Sequence, residues 1–324
     1  MRYLMRRLLR AGALLLAASL LCFVLTQLAP GSFFDELRLN PQISAQTVAG
    51  LRTQYGLDRP LPARYGLWLK SVARGDLGYS LAYNAPVAPL LLVRARNTLL
   101  LTATATVLAW LLALPLGMWA AVHRGGWVDR GVTAGSSLML AVPEIALVLC
   151  ALALAARTHA LPVGGMMSAS FGQFSFWGKL TDVAAHLVIP GSVLALGTVA
   201  IVVRHIRSSV CEVLDAPYIH AARGHGIAPV RILLRHVLPA AANPAISLLG
   251  LSLAALLSGS LAVEVITGWP GLGPIVLEAT LARDPYLIIG AVMLSTVVVI
   301  AGTFVADVLL LATDPRISLR GADA

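Results

Sequence analysis

Residues 286–311 read YLIIGAVMLSTVVVIAGTFVADVLLL, twenty-six positions with no charged side chain before Asp307. At about 1.5 Å per helical residue the run covers roughly 39 Å, more than the roughly 30 Å of hydrocarbon in a bilayer. A helix at the surface of a soluble core needs only an apolar stripe, whereas this one is apolar all round, and lipid is the medium that covers it. Five more stretches reach or approach the same length, at 11–29, 98–122, 131–156, 187–203 and 243–267. An all-α polytopic membrane protein with six transmembrane helices is the fold this pattern predicts.

Composition leads to the same place. Of the 324 residues 58% are hydrophobic and only 12% charged, and mean hydropathy is +0.83. No soluble domain of this size hides so much apolar surface. Disorder, collagen and a secreted disulfide scaffold are excluded on the same ground. The net charge of +9 does not point to nucleic acid, because no basic run is backed by aromatic platforms. Cys22, Cys150 and Cys211 have no C-x-x-C spacing, so neither a disulfide framework nor a zinc site is indicated.

The first stretch, preceded by Arg2, Arg6, Arg7 and Arg10, also has the layout of a signal peptide. Its end, Gln27-Leu28-Ala29-Pro30-Gly31, offers no A-x-A cleavage site, and an uncleaved span is expected. Alternating six spans from a cytoplasmic N-terminus places thirteen Lys and Arg residues inside and three, Arg157, Lys179 and Arg283, in the short outer loops. The other eight lie in the long segment 30–97, beyond the length at which loop charge controls orientation. Both termini are therefore expected in the cytoplasm. Segment 30–97 reads as an extracytoplasmic loop, with a turn at Asp58-Arg59-Pro60, a short helix near 48–55, and Tyr65, Trp68 and Tyr79 at the membrane interface. A single transmembrane domain over residues 1–324 is expected.

The longest inner loop, 205–242, contains Asp215-Ala216-Pro217-Tyr218-Ile219-His220-Ala221-Ala222-Arg223-Gly224-His225-Gly226. Asp215 is a candidate helix cap, Pro217 suits a first turn, and Gly224 and Gly226 end the helix. Two to three turns are too few to be stable alone, so this helix must pack on something. Ala221, Ala222 and Gly226 let another surface approach the backbone closely. Two readings stand: docking of a partner protein, or packing on the chain's own helices. A second segment, 230–237, is expected to stop at Leu238-Pro239.

Ala221-Ala222, Gly226 four residues on, and Leu238-Pro239 twelve and thirteen beyond that resemble the EAA loop of ABC importer permeases. His220 replaces the glutamate of that pattern and His236 an isoleucine. Other segments are similar to the peptide/nickel branch of dipeptide and oligopeptide permeases. They are Leu28-Ala29-Pro30-Gly31, Tyr55-Gly56-Leu57-Asp58-Arg59-Pro60-Leu61, and Gly75-Asp76-Leu77-Gly78-Tyr79-Ser80. Later come Glu264 with Gly268-Trp269-Pro270-Gly271-Leu272-Gly273, then Arg283-Asp284-Pro285 and Asp314-Pro315-Arg316. The match runs from about residue 2 to 320.

The resemblance implies a type I ABC importer permease fold in a bacterial inner membrane, half of a translocation path for peptides or a related small solute, a nickel complex included. It implies a second, related permease, two cytoplasmic ATPase subunits and an extracytoplasmic solute-binding protein. Tyr218, Ala221, Ala222, Arg223, Gly226, Leu238 and Pro239 fall where its ATPase-coupling loop lies. Trp269, Pro270 and Gly271 fall in its outer gate loop, with Glu264 just before them. No cofactor is expected in this chain, since it has no G-x-x-x-x-G-K-[ST] and Gly178-Lys179-Leu180 lacks both the upstream glycine and the hydroxyl. ATP and magnesium belong on the partner subunits, and the chain is not expected to be an enzyme.

Ionisable residues inside spans are functional candidates. Measured along a straight helix from 131, Glu144 is the deep one, roughly 20 Å in, while Glu264 and Asp307 fall near interfaces. Pro143 kinks the helix before it. Glu144 either faces the translocation path and meets a cation, such as a peptide amino group, or is held by a neighbouring helix. A rival of another class is a transporter driven by an ion gradient, which needs midplane ion sites and often inverted repeats; an exporter half and a membrane scaffold are further alternatives.

Overall fold

The computed structural model describes residues 2–29 and 58–313, together with the isolated positions 31, 33, 46, 50 and 53. The segment expected at 48–55 apart from positions 50 and 53, residues 55–57 of the 55–61 segment, Pro30 and Asp314-Pro315-Arg316 lie outside the described residues.

In chain order the elements are helix α1 (Arg2–Leu28), helix α2 (Leu61–Val72), and a two-residue hairpin of β1 (Tyr79–Ser80) and β2 (Ala85–Pro86). There follow α3 (Val87–Val122), α4 (Trp127–Ala141), α5 (Glu144–Thr158), α6 (Phe176–Leu214), α7 (Pro217–Gly224), α8 (Pro229–Ile232), α9 (Leu238–Thr267), α10 (Leu272–Leu281) and α11 (Pro285–Thr313). Among the described residues five helices are long and apolar enough to cross a membrane, and α4 with α5 makes a sixth span if counted as one.

In that third span the kink expected at Pro143 within 131–156 is a full break between two helices. The span breaks at Val142–Pro143, and its halves meet at 94°. Val142 precedes a proline, which disfavours the helical conformation, and its ψ of 124° ends α4. Pro143, at ψ 136°, starts α5. Depth counted along one axis therefore does not apply to Glu144. Two other spans are longer than their apolar runs. The expected 98–122 lies within the 36 residues of α3, and 187–203 within the 39 of α6.

The chain divides into two compact units, Met1–Asn97 with Gly271–Ile300, and Thr98–Pro270 with Ala301–Ala324. In the first, Phe23, Trp68 and Ile289 form a buried cluster. Phe23 meets Trp68 edge-on at 5.2 Å, and the indole N–H donates to the Leu77 carbonyl at 3.1 Å. Trp68 is 4% exposed, and its large apolar area and its single N–H are both satisfied inside. In the hairpin, Tyr79 is opposite Pro86 and Ser80 opposite Ala85. Gly290 lets α11 approach α3, since a Cβ there would lie 2.7 Å from Val87 Cγ1.

The second unit is built on a run of small residues in α3. Ala105, Ala109, Ala113, Gly117 and Ala121 recur every fourth position and all are buried. Such a row lets helices pack closely without a hydrophobic driving force in lipid. Ala109, Ala113 and Ala121 share a core with Val199, Val203 and Ile206 of α6. A Cβ at Gly117 would meet Ile206 Cγ2 at 2.8 Å. A second core joins Leu101, Val148 of α5, Leu194 of α6 and Leu256 of α9.

Candidate functional site

The short helix read from the loop is present as α7, eight residues long with Pro217 in its first turn. Its N-cap is Ala216, with no side-chain hydrogen bond. Asp215 does not cap it, because its carboxylate instead receives Arg124 Nη1 at 2.7 Å. That hydrogen bond, and then the charge of Asp215, raise the Arg124 pKa above its ordinary value. The helix ends at Gly224, and Gly226 follows with φ +74°. There Gly226 N–H donates to the Arg223 carbonyl at 2.9 Å and Ile227 N–H to that of Ala222 at 3.2 Å. A side chain with a Cβ is strained in that backbone region, so glycine fits.

The two faces of α7 differ. Ile219 is fully buried in the same core as Val210 and Ile232, and Ala222 packs against that core. Tyr218, His220, Ala221, Arg223 and Gly226 are exposed. A Cβ at Gly224 or at Gly226 would meet nothing within 4 Å. Packing on the chain's own helices thus accounts for Ala222 but not for Ala221 or the glycines. Exposed Val230 and Leu234 extend the outward surface.

Leu238-Pro239 does not stop the following segment. After α8 the chain makes a π turn over Leu233–Val237, and α9 begins at Leu238 with Pro239 in its first turn. The wider turn makes room where a proline ring would crowd an α-helical carbonyl. Leu238 also lines an apolar cavity of about 310 Å³, with Trp110, Ile206 and Ala245.

Polar contacts that sequence reading missed brace this region. Arg207 of α6 donates from Nε to Asp129 Oδ1 and from Nη2 to Oδ2, the latter at 2.7 Å. Gly125 N–H donates to the same Oδ2 at 2.8 Å. The acids in the first turns of α4 and α5 are Asp129 and Glu144, where the helix dipole favours negative charge.

Glu144 is half-buried and faces α9, for a Cβ at Gly259 would lie 3.3 Å from its Oε2. Glu264 and Trp269 are fully buried. Helix α9 ends at Thr267, Gly268 follows at φ +64°, and Trp269 N–H donates to the Glu264 carbonyl at 2.9 Å. Gly271 is the N-cap of α10, and Pro270 is half-buried. Among the described residues no group of three His, Cys, Asp or Glu side chains has the arrangement of a metal site.

Long apolar helices, a broken span and a short amphipathic helix at a polar loop define a multi-pass helical membrane protein. Residues 113–319 match the family model of the binding-protein-dependent transport system inner membrane component, and residues 1–102 match that of its N-terminal region. The chain belongs to that family of ABC importer permeases. It is 33% identical over 318 residues to the oligopeptide transport system permease protein AppB of Bacillus subtilis, covering 97% of this chain and 98% of that one. It is 32% identical over 327 residues to the glutathione transport system permease protein GsiC of Salmonella paratyphi A, covering 99% and 100%. A putative peptide permease protein of Brucella suis is 34% identical over 324 residues, covering 98% and 99%. Among solved structures, an inward-facing methionine ABC transporter, MetNI, aligns with 69% of this chain and 96% of that chain, at TM-score 0.57 and 19% identity, and this shows the fold.

Proposed function

We propose that this chain forms half of the membrane path of an ATP-driven importer for peptides or a related small solute, a nickel complex included. The observation that carries the reading is the divided helix α7, held by Ile219 on one face and open at Tyr218, Ala221 and Gly226 on the other. A helix of eight residues anchored in this way moves with its own bundle and still presents a surface to a partner. Relatives named for oligopeptide and glutathione transport over almost their full length support the cargo class.

In this reading the importer has two ATPase subunits, which carry ATP and magnesium, and one of them binds this chain at Tyr218, Ala221, Ala222, Arg223 and Gly226, with Leu238 and Pro239 as the base of the loop. A second homologous permease completes the path, and a solute-binding protein delivers cargo from outside. The domain spans 1–324 in a bacterial inner membrane, both termini are cytoplasmic by the distribution of Lys and Arg, and ATP is hydrolysed elsewhere. Glu144 lies on the path, while buried Glu264 and Trp269, with Pro270 and Gly271, serve the outer gate by packing rather than by touching cargo.

Reconstitution in liposomes with the partner subunits tests this. Uptake of a labelled oligopeptide is expected to require ATP and the binding protein. Uptake by the chain alone on a proton or sodium gradient sinks it and returns the ion-driven alternative.

A further inference from the structure

We infer that Asp129, through its pair with Arg207, is a positioning residue that transmits movement of α7 to the broken span. The inference rests on the import reading above.

Three observations carry it. Helix α7 follows α6 after only Asp215 and Ala216, so a push on α7 is felt first at the end of α6. Arg207 lies one turn and a half to two turns before that end, and grips Asp129 with two donors on two oxygens. The Asp129 side chain is 6% exposed, and Gly125 N–H holds its carboxylate from the other side. A two-pronged, shielded pair fixes direction as well as distance.

Helix α4 therefore acts as a lever. Its 15 residues measure about 22 Å. One end is held by Arg207, and the other ends at the 94° break before Glu144. Only Val142 and Pro143 separate α4 from α5, and Pro143 is tied into α5 by the Leu147 N–H on its carbonyl at 3.1 Å, so a shift of α4 is passed to the start of α5. Movement of α6 then changes the placement of α5 and of the Glu144 carboxylate beside Gly259. The neighbouring pair of Arg124 and Asp215 is 59% and 64% exposed; an ion pair so open to water holds weakly, and it does not carry the load.

The test uses the assembled importer with its ATPases and binding protein, comparing wild type, Asp129→Asn, Arg207→Gln, the double variant and Arg124→Ala. Asp129→Asn is expected to assemble at wild-type yield and hydrolyse ATP at the wild-type rate without cargo. Stimulation of hydrolysis by the loaded binding protein, and uptake, are expected to fall about tenfold. Arg207→Gln should do the same, and the double variant no worse than either single, because the two residues act as one unit. Arg124→Ala should change little. Wild-type stimulation in Asp129→Asn, additive losses in the double variant, or a fall in assembly that matches the fall in uptake each overturn the inference. A wild-type complex with no ATP-dependent uptake overturns the import reading and this inference together.

Discussion

The Ser80 hydroxyl donates to the Asp284 carboxylate at 2.7 Å, joining positions 204 residues apart. The same Oδ2 accepts the Ala82 N–H at 3.0 Å, and Oδ1 accepts the Leu287 N–H at 3.2 Å. Asp284 is fully buried, so its charge is tolerated only because these donors surround it. It ties the hairpin of β1 and β2 to the start of α11.

Asp284→Ala removes the acceptor and leaves buried donors unsatisfied, which costs about 3 kcal/mol. Thermal unfolding in detergent is expected to show a lower Tm, with Asp284→Asn intermediate. An unchanged Tm for the alanine variant would mean that the hairpin is held by other contacts.

The two faces of α7 make the proposed docking of an ATPase separable from folding. Arginine at exposed Ala221 disturbs none of the chain's own core, so a pull-down should lose ATPase subunits while the permease keeps its Tm. Ala222→Arg should lose both, since Ala222 packs on the core around Ile219. Equal retention of ATPase by wild type and Ala221→Arg removes α7 as the contact.

Glu144→Gln keeps the shape of the side chain and removes its charge. Uptake of a cationic or amino-bearing peptide is expected to fall while the assembled complex is recovered in full. Gly259→Ala places a methyl 3.3 Å from Oε2, which pushes the carboxylate by tenths of an ångström and should give a smaller loss. Normal uptake by both variants would assign Glu144 to packing.

Much of this architecture was legible because lipid imposes a length on apolar runs, and 243–267 ends where α9 ends. The ends of α6 were not legible. Polar residues such as Lys179, Asp182, Arg204 and Arg207 interrupt the apolar signal while the helix continues for 39 residues. Pro143 announced a kink, but the size of the break depends on both Val142 and Pro143 adopting extended ψ. Asp215 fits a capping pattern locally, and it was Arg124, 91 residues away, that claimed it. Ser80 and Asp284 each stood in a recognisable segment, yet nothing in local sequence pairs them. The every-fourth row of small residues in α3 was visible in the chain and was the signal that a search for small-xxx-small spacing would have found.

That row makes a prediction about volume. Gly117 faces Ile206 Cγ2 at 2.8 Å and the Val203 carbonyl at 3.0 Å, measured from where a Cβ would sit. The carbonyl belongs to a packed helix and cannot turn aside, so Gly117→Ala should force α3 and α6 apart and cost about 1–3 kcal/mol. Ile206→Ala alone should also destabilise, by leaving a cavity. Together the two changes exchange volume across one contact, and the double variant should be more stable in thermal unfolding than the sum of the single losses allows. Strict additivity would show that the helices are free to separate at this point, and that the close approach of α3 to α6 is not what holds the bundle.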